Sequence, residues 1–211
     1  ARTEPAMQGT QFGKLREPIL RLTAWARAFG AQGIQAEHVE IMANLEDAAE
    51  LAQQGYKAPS VFNFYRPGYV APGTLTGAAN LTMPEFQLVN TATVPSAINL
   101  LNTFVTNQHV DREQLTQLAS DFSFLGITLD VNAITAAALA DYSALEAVAV
   151  SDTNALLDRV DQLLTYGNLS ANSRAEIKAI IDALPATANA QERSQLAVML
   201  VMSSPDFLIQ Q

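Results

Sequence analysis

The sequence predicts an all-α fold, a compact multi-helix domain with a Pro/Gly-rich aromatic loop lying across the helices. Three observations lead there. Apolar residues recur at spacings of three and four through most of the chain, the period of a helix with one buried face. Hydrophobic residues make up 49% and charged residues 16%, enough to build a core and too apolar for disorder. No alternation of strands with helices and no internal repeat is legible.

The 211 residues suit one large domain or two small ones. Residues 1–11 are polar and aperiodic and read as a tail or linker, leaving 12–211 as one helical domain. Twelve Lys and Arg face 21 Asp and Glu, a net charge of -9, which argues against nucleic acid as the main partner. With no cysteine, disulfides, thiolate metal sites and a cysteine nucleophile are excluded. No apolar run approaches the ~20 residues of a membrane span. No signal peptide is visible and the sequence opens on Ala1, as expected of a processed protein, a fragment or a proteolytic product.

The first helix is expected over Lys14–Phe29, with Leu15, Ile19, Leu22, Ala26 and Phe29 on one face. Pro18 suits a first turn, so regular helix should begin near Glu17. Arg16, Arg21 and Arg27 lie off that stripe and, with Arg2 and Lys14, make the one basic neighbourhood of an acidic chain. They read as a solvated face paired with nearby acids or, more sharply, as an anion or partner site. Gly30 and Gly33 stop the helix, and Ala36–Gln54 reads as a second, acidic one.

The segment from Ala58 to Thr74 breaks this pattern with Pro59, Pro67 and Pro72 and the turn pairs Pro67-Gly68 and Pro72-Gly73. Alternation along an extended segment sends Phe62 and Phe64 to one side and Asn63 and Tyr65 to the other, which favours the phenylalanines for the core. Leu75–Thr82 reads as a polar turn, and Met83–Asn90 as a short helical turn opened by Pro84. Val94–Asn107 is a clearer helix, with Pro95 in its first turn and Thr93 as N-cap. A helix over Asp111–Ser120 follows; Asp121–Thr128 reads as loop or helix end.

Val131–Ala140 is alanine-rich and predicted helical, with Asp141–Val150 extending it after a kink. Thr153–Tyr166 should bury Leu156, Leu157, Val160, Leu163 and Leu164, capped by Ser151 or Asp152. The next helix, capped by Ser170 or Ser173, buries Ile177, Ile180, Ile181 and Leu184 and stops at Pro185; Ser173 with Glu176 suits a capping box. Gln191–Met202 should be central, and Pro205-Asp206-Phe207 starts a final turn.

The residues offer little chemistry. His38 and His109 stand far apart, so no histidine-based metal site is expected, and no cofactor fingerprint appears. Asp130 and Asn132 lack the spacing of a calcium loop. Asn80-Leu-Thr and Asn168-Leu-Ser are formal glycosylation sequons. Glu85 is the weak catalytic candidate, a carboxyl flanked by Met83 and Phe86 that suits a general acid or, structurally, a helix cap or a partner of Arg66. In the aromatic loop, Asn63, Tyr65, Arg66 and Tyr69 are the candidates for binding a ligand or partner, a glycan included.

Four blocks carry a resemblance. They are Phe12-Gly-Lys-Leu-Arg-Glu-Pro-Ile-Leu-Arg-Leu-Thr, Pro59-Ser-Val-Phe-Asn-Phe-Tyr-Arg-Pro-Gly-Tyr, Pro84-Glu-Phe-Gln-Leu-Val-Asn and Ser203-Ser-Pro-Asp-Phe-Leu-Ile-Gln. From Phe12 to Gln211 the chain resembles the C-terminal part of a bacterial family known as domain of unknown function 1800. The resemblance implies a mainly helical, usually exported protein in which a longer N-terminal half precedes this region. Members of the family it resembles are often encoded beside a second, uncharacterised exported protein of sulfatase-like type, a hint of partnership only. The resemblance carries over no catalytic residue.

The function expected is therefore an exported (periplasmic or secreted), non-enzymatic interaction or scaffold domain that binds a protein partner or forms an assembly. The alternative is the C-terminal part of a hydrolase or glycan-binding protein acting on an extracellular polymer.

Overall fold

The computed structural model describes residues 13–36, 39–41, 53, 58–107, 112–131 and 138–210. The fold is mostly helical, as expected. β1 (Lys14–Leu15) leads into α1 (Pro18–Ala28), whose N-cap is Glu17 and whose first position is proline. Pro18 thus sets the helix start one turn later than the apolar spacing alone, and Leu15 is buried from a strand. Gly30, at φ +55°, takes the left-handed geometry that ends the helical run.

The acidic segment differs from expectation. β2 (Gln32–Ala36) and β3 (Val39–Ile41) form an antiparallel pair, so the predicted helix over Ala36–Gln54 is wrong at its start. Gly33 lies inside β2 and stops nothing. Residues 42–52 lie outside the described residues. Ala138–Leu139 (β4) pairs with Gln32 and Gly33 on the other edge of β2, where a helix was predicted. A helical apolar period does not exclude a strand when a partner edge is available to take its backbone groups.

After the loop come α2 (Leu75–Ala78), within a segment read only as a turn, and the 3₁₀ helix Pro84–Leu88. α3 (Thr93–Val105) follows. Its predicted cap, Thr93, lies inside the helix and donates its hydroxyl to the Leu88 carbonyl at 2.6 Å, while the Asn90 side chain accepts from the amides of Ala92 and Thr93. α4 (Arg112–Phe124) runs through the ambiguous segment to Gly126, at φ +79°.

The C-terminal third is the packing centre. α5 (Ser143–Ala149), α6 (Thr153–Leu164), α7 (Ala171–Asp182) and α9 (Pro205–Leu208) pack around α8 (Ala190–Ser203). Ala197, Val198, Val201 and Met202 of α8 are wholly buried. Asp152 and Ser170 are the caps of α6 and α7. Ser173 donates its amide to Ser170 rather than starting a capping box; the box is Asn189 with Glu192 at α8. Two expected core residues, Leu163 and Ile180, are exposed. In α6 the inward position is taken by Asp161, whose carboxylate accepts from the Thr165 hydroxyl and, at 3.0 Å, from the Leu169 amide. It closes the α6–α7 turn and so tolerates burial.

β5 (Ile209–Gln210) returns to pair with β1, Lys14 opposite Gln210 and Leu15 opposite Ile209, bringing the two ends of the described domain together. Among the described residues no helix is long and apolar enough to cross a membrane.

Candidate functional site

The four sequence blocks quoted above meet at the start of α1. Gly13 packs so closely on Ile209 that an added Cβ would come within 2.7 Å of its Cγ2. The Arg16 amide donates to the Leu208 carbonyl at 2.7 Å, and its guanidinium lies 4.2 Å above the Phe207 ring. Lys14 Nζ is 3.0 Å from Glu85 Oε1 and 3.9 Å from Glu17 Oε1. Gln53 donates its side-chain amide to Glu17 and accepts the Ile19 amide at 3.1 Å. The Tyr65 phenol interacts with the Glu17 carboxylate.

Tyr65 therefore resists ionisation. Burial pushes its phenol up, and the hydrogen bond to Glu17 and the negative fields of Glu17 and Glu85 push it further. Each group in the cluster already has a partner. One ammonium stands between two carboxylates, and a phenol and a carboxamide occupy Glu17. Glu85 is only 4% exposed. Its partner is Lys14, not the Arg66 weighed from the sequence, and the 3₁₀ helix has no side-chain cap. The arrangement joins the loop, the 3₁₀ helix and the domain's first strand electrostatically, and it presents no free acid to a substrate.

The loop is anchored at its base and open at its tip. The Arg66 amide donates to the Gln87 side chain, and the Met83 amide to the Tyr69 carbonyl at 2.8 Å. Gly73 takes φ +73°, as its turn pair predicts, whereas Gly68 keeps a negative φ. Thr74 caps α2, where the Gly77 amide donates to its hydroxyl at 2.9 Å. At Gly77 a Cβ would meet the Ala71 carbonyl oxygen at 2.0 Å, so only glycine lets the loop's exit close on its own backbone.

Of the four loop candidates, Asn63 and Arg66 are exposed, and Tyr65 and Tyr69 are half-buried at the base. The structure brings Tyr65 and Glu85 around Lys14 and Glu17, and leaves Asn63 at the tip with φ +69°. Phe62 does not enter the core: it is 64% exposed, beside Val61 at 95% and with Leu75 of α2 at 91%. A tight turn joining Ser60 to Asn63 interrupts the extended segment, and the strand alternation used to place Phe62 fails there. Phe62, with Val61 beside it, is the surface residue of the loop that sequence reasoning missed. The Pro59-Ser60 turn entry was the available clue.

Among the described residues no group of three or more acidic or histidine side chains is placed to hold a metal. His38 and His109 lie outside them, as do residues 132–137 beside Asp130.

The family described as protein of unknown function (DUF1800) matches residues 2–209. No curated protein matches the chain, and no solved structure does.

Proposed function

This chain belongs to the DUF1800 family of proteins of unknown function, and from that premise we propose that it is an exported, non-enzymatic interaction domain that presents its aromatic loop to a protein partner. The observation that carries the reading is the contrast within the loop. Its base is held by Tyr65, Arg66 and Tyr69, while Val61, Phe62 and the adjoining Leu75 stand in solvent. An apolar tip on a fixed base loses little conformational entropy on docking, the economy used by rigid binding loops. Single exposed apolar residues are ordinary; the adjacent pair Val61 and Phe62 at a tight turn supports an interaction surface. Export rests on what the family resemblance implies.

The hydrolase alternative has less support. Its candidate acid, Glu85, is buried and ion-paired with Lys14. A general acid must reach the substrate proton it transfers.

Native mass spectrometry of the protein from its own source tests the reading. A companion protein should stay bound to wild type and to Glu85→Gln, and be lost from Phe62→Asp. A companion equally bound by Phe62→Asp removes the loop from the interface. Turnover of an extracellular polymer that Glu85→Gln abolishes would establish the hydrolase instead. Cell fractionation checks the location.

A further inference from the structure

A cavity of about 160 Å³ lies between the start of α1, the 3₁₀ helix, α3 and the end of α8. Its walls are aliphatic and aromatic, with Leu15, Phe86, Ile98 and Met202 among them. Three residues with polar side chains are among those that line it: Thr93, Ser203 and Arg21. The two hydroxyls are occupied, Thr93 with the Leu88 carbonyl and Ser203 with the Met199 carbonyl at 2.8 Å. Arg21 is different. Its Nε donates to the Arg16 carbonyl at 2.9 Å, and among the described residues no carboxylate forms an ion pair with it.

A cation set in an apolar wall without a counter-charge is costly, and a bound anion relieves that cost. The neighbourhood is consistent with this. Burial, and secondarily the field of Arg16, lowers the Arg21 pKa to about 10. A guanidinium presents a planar fork that matches a carboxylate with two parallel hydrogen bonds. The apolar volume sets the size of the rest. A dry cavity of about 150 Å³ in another protein holds one benzene ring.

We propose that this cavity is a binding site for a small monocarboxylate with a compact apolar body, an aromatic or short acyl acid, whose carboxylate pairs with Arg21 while its body fills the space between Phe86, Ile98 and Met202. The site is separate from the loop tip, and neither proposal depends on the other.

Calorimetric titration of the full chain with benzoate and hexanoate tests it, with benzamide and hexanamide as neutral controls. The acids should bind saturably. Arg21→Gln should weaken them roughly tenfold or more, as expected for a lost charge-assisted pair, and the amides should bind wild type no better than the acids bind that variant. Val94→Trp, an exposed position at the rim, fills the cavity without removing a core contact and should abolish binding. The proposal is overturned if neither acid binds wild type, if Arg21→Gln binds benzoate undiminished, or if Val94→Trp leaves binding intact. It is equally overturned if a peptide with a free C-terminal leucine binds and both acids do not, which would make the site a peptide-end receptor.

Discussion

The indole nitrogen of Trp25 donates to the hydroxyl of Tyr142 at 2.8 Å, across 117 positions of sequence. Both side chains are buried, Trp25 packing at a tilt against Phe104 and Tyr142 against Phe29. The bond joins α1 to the entry of α5, and Asp141 adds a second tie there by donating its amide to the Phe29 carbonyl. Replacing Tyr142 by Phe keeps the shape and strands a buried donor. The expected cost is about 1–3 kcal/mol in chemical denaturation. Trp25 is the sole tryptophan, so its fluorescence reports the change directly.

The same pair predicts an alkaline limb to stability. Burial pushes the Tyr142 phenol up, and the hydrogen bond from Trp25 only partly opposes this. The unfolded chain loses that proton near pH ~10. The stability contributed by the neutral phenol is therefore complete below about pH 10 and drains away as pH rises above it. Tyr142→Phe should be less stable at neutral pH yet show a flatter decline from pH 9 to 12. Equal slopes in the two proteins would remove Tyr142 as the cause.

Adjacent leucines of α6 should respond oppositely to truncation. Leu164 is 1% exposed and Leu163 is 38% exposed. Leu164→Ala should cost about 2–5 kcal/mol, whereas Leu163→Ala should cost under about 1 kcal/mol. The apolar spacing of α6 placed both inside. Similar costs for the two would restore that placement.

The Lys14–Glu85 pair is lopsided, with the Lys14 side chain 57% and that of Glu85 5% exposed. Losing either partner is then not equivalent. Glu85→Gln leaves an ammonium that water can reach. Lys14→Met leaves a carboxylate held in the interior, so it should be the more destabilising by about 1–3 kcal/mol. The double variant should recover part of that loss, and thermal unfolding of all four proteins measures the coupling.

Gly77→Ala should release the loop. The new Cβ would lie 2.0 Å from the backbone oxygen of Ala71, which cannot move without shifting the loop's exit. Limited proteolysis should then cut between residues 58 and 74 at least several-fold faster than in wild type, while the Trp25 fluorescence of the core stays unchanged. Equal cleavage rates would mean the anchors at Tyr65, Arg66 and Tyr69 hold the loop without the turn.

The sequence by itself determined the helical class, the C-terminal helices around α8, and the boundaries marked by Pro18, Gly30, Gly73 and Pro84. These follow from period and from residues whose backbone choices are local, a proline's φ or a glycine's freedom. Only the tertiary structure decided where Ala36 and Ala138–Leu139 pair as strands, because a strand is stabilised by a partner far along the chain. It also decided which residues of one helix face inward: Leu163 is exposed while Asp161 is buried, its carboxylate closing a turn, a satisfaction of hydrogen bonds that hydropathy does not record. The candidate site divides the same way. Tyr65, Arg66, Tyr69 and Glu85 were legible as residue types in an unusual segment. That Phe62 stands outside follows from the tight Ser60–Asn63 turn, whereas the meeting of Tyr65 and Glu85 at Lys14 and Glu17 and the place of Arg21 beside an apolar cavity depend on elements far apart in the chain.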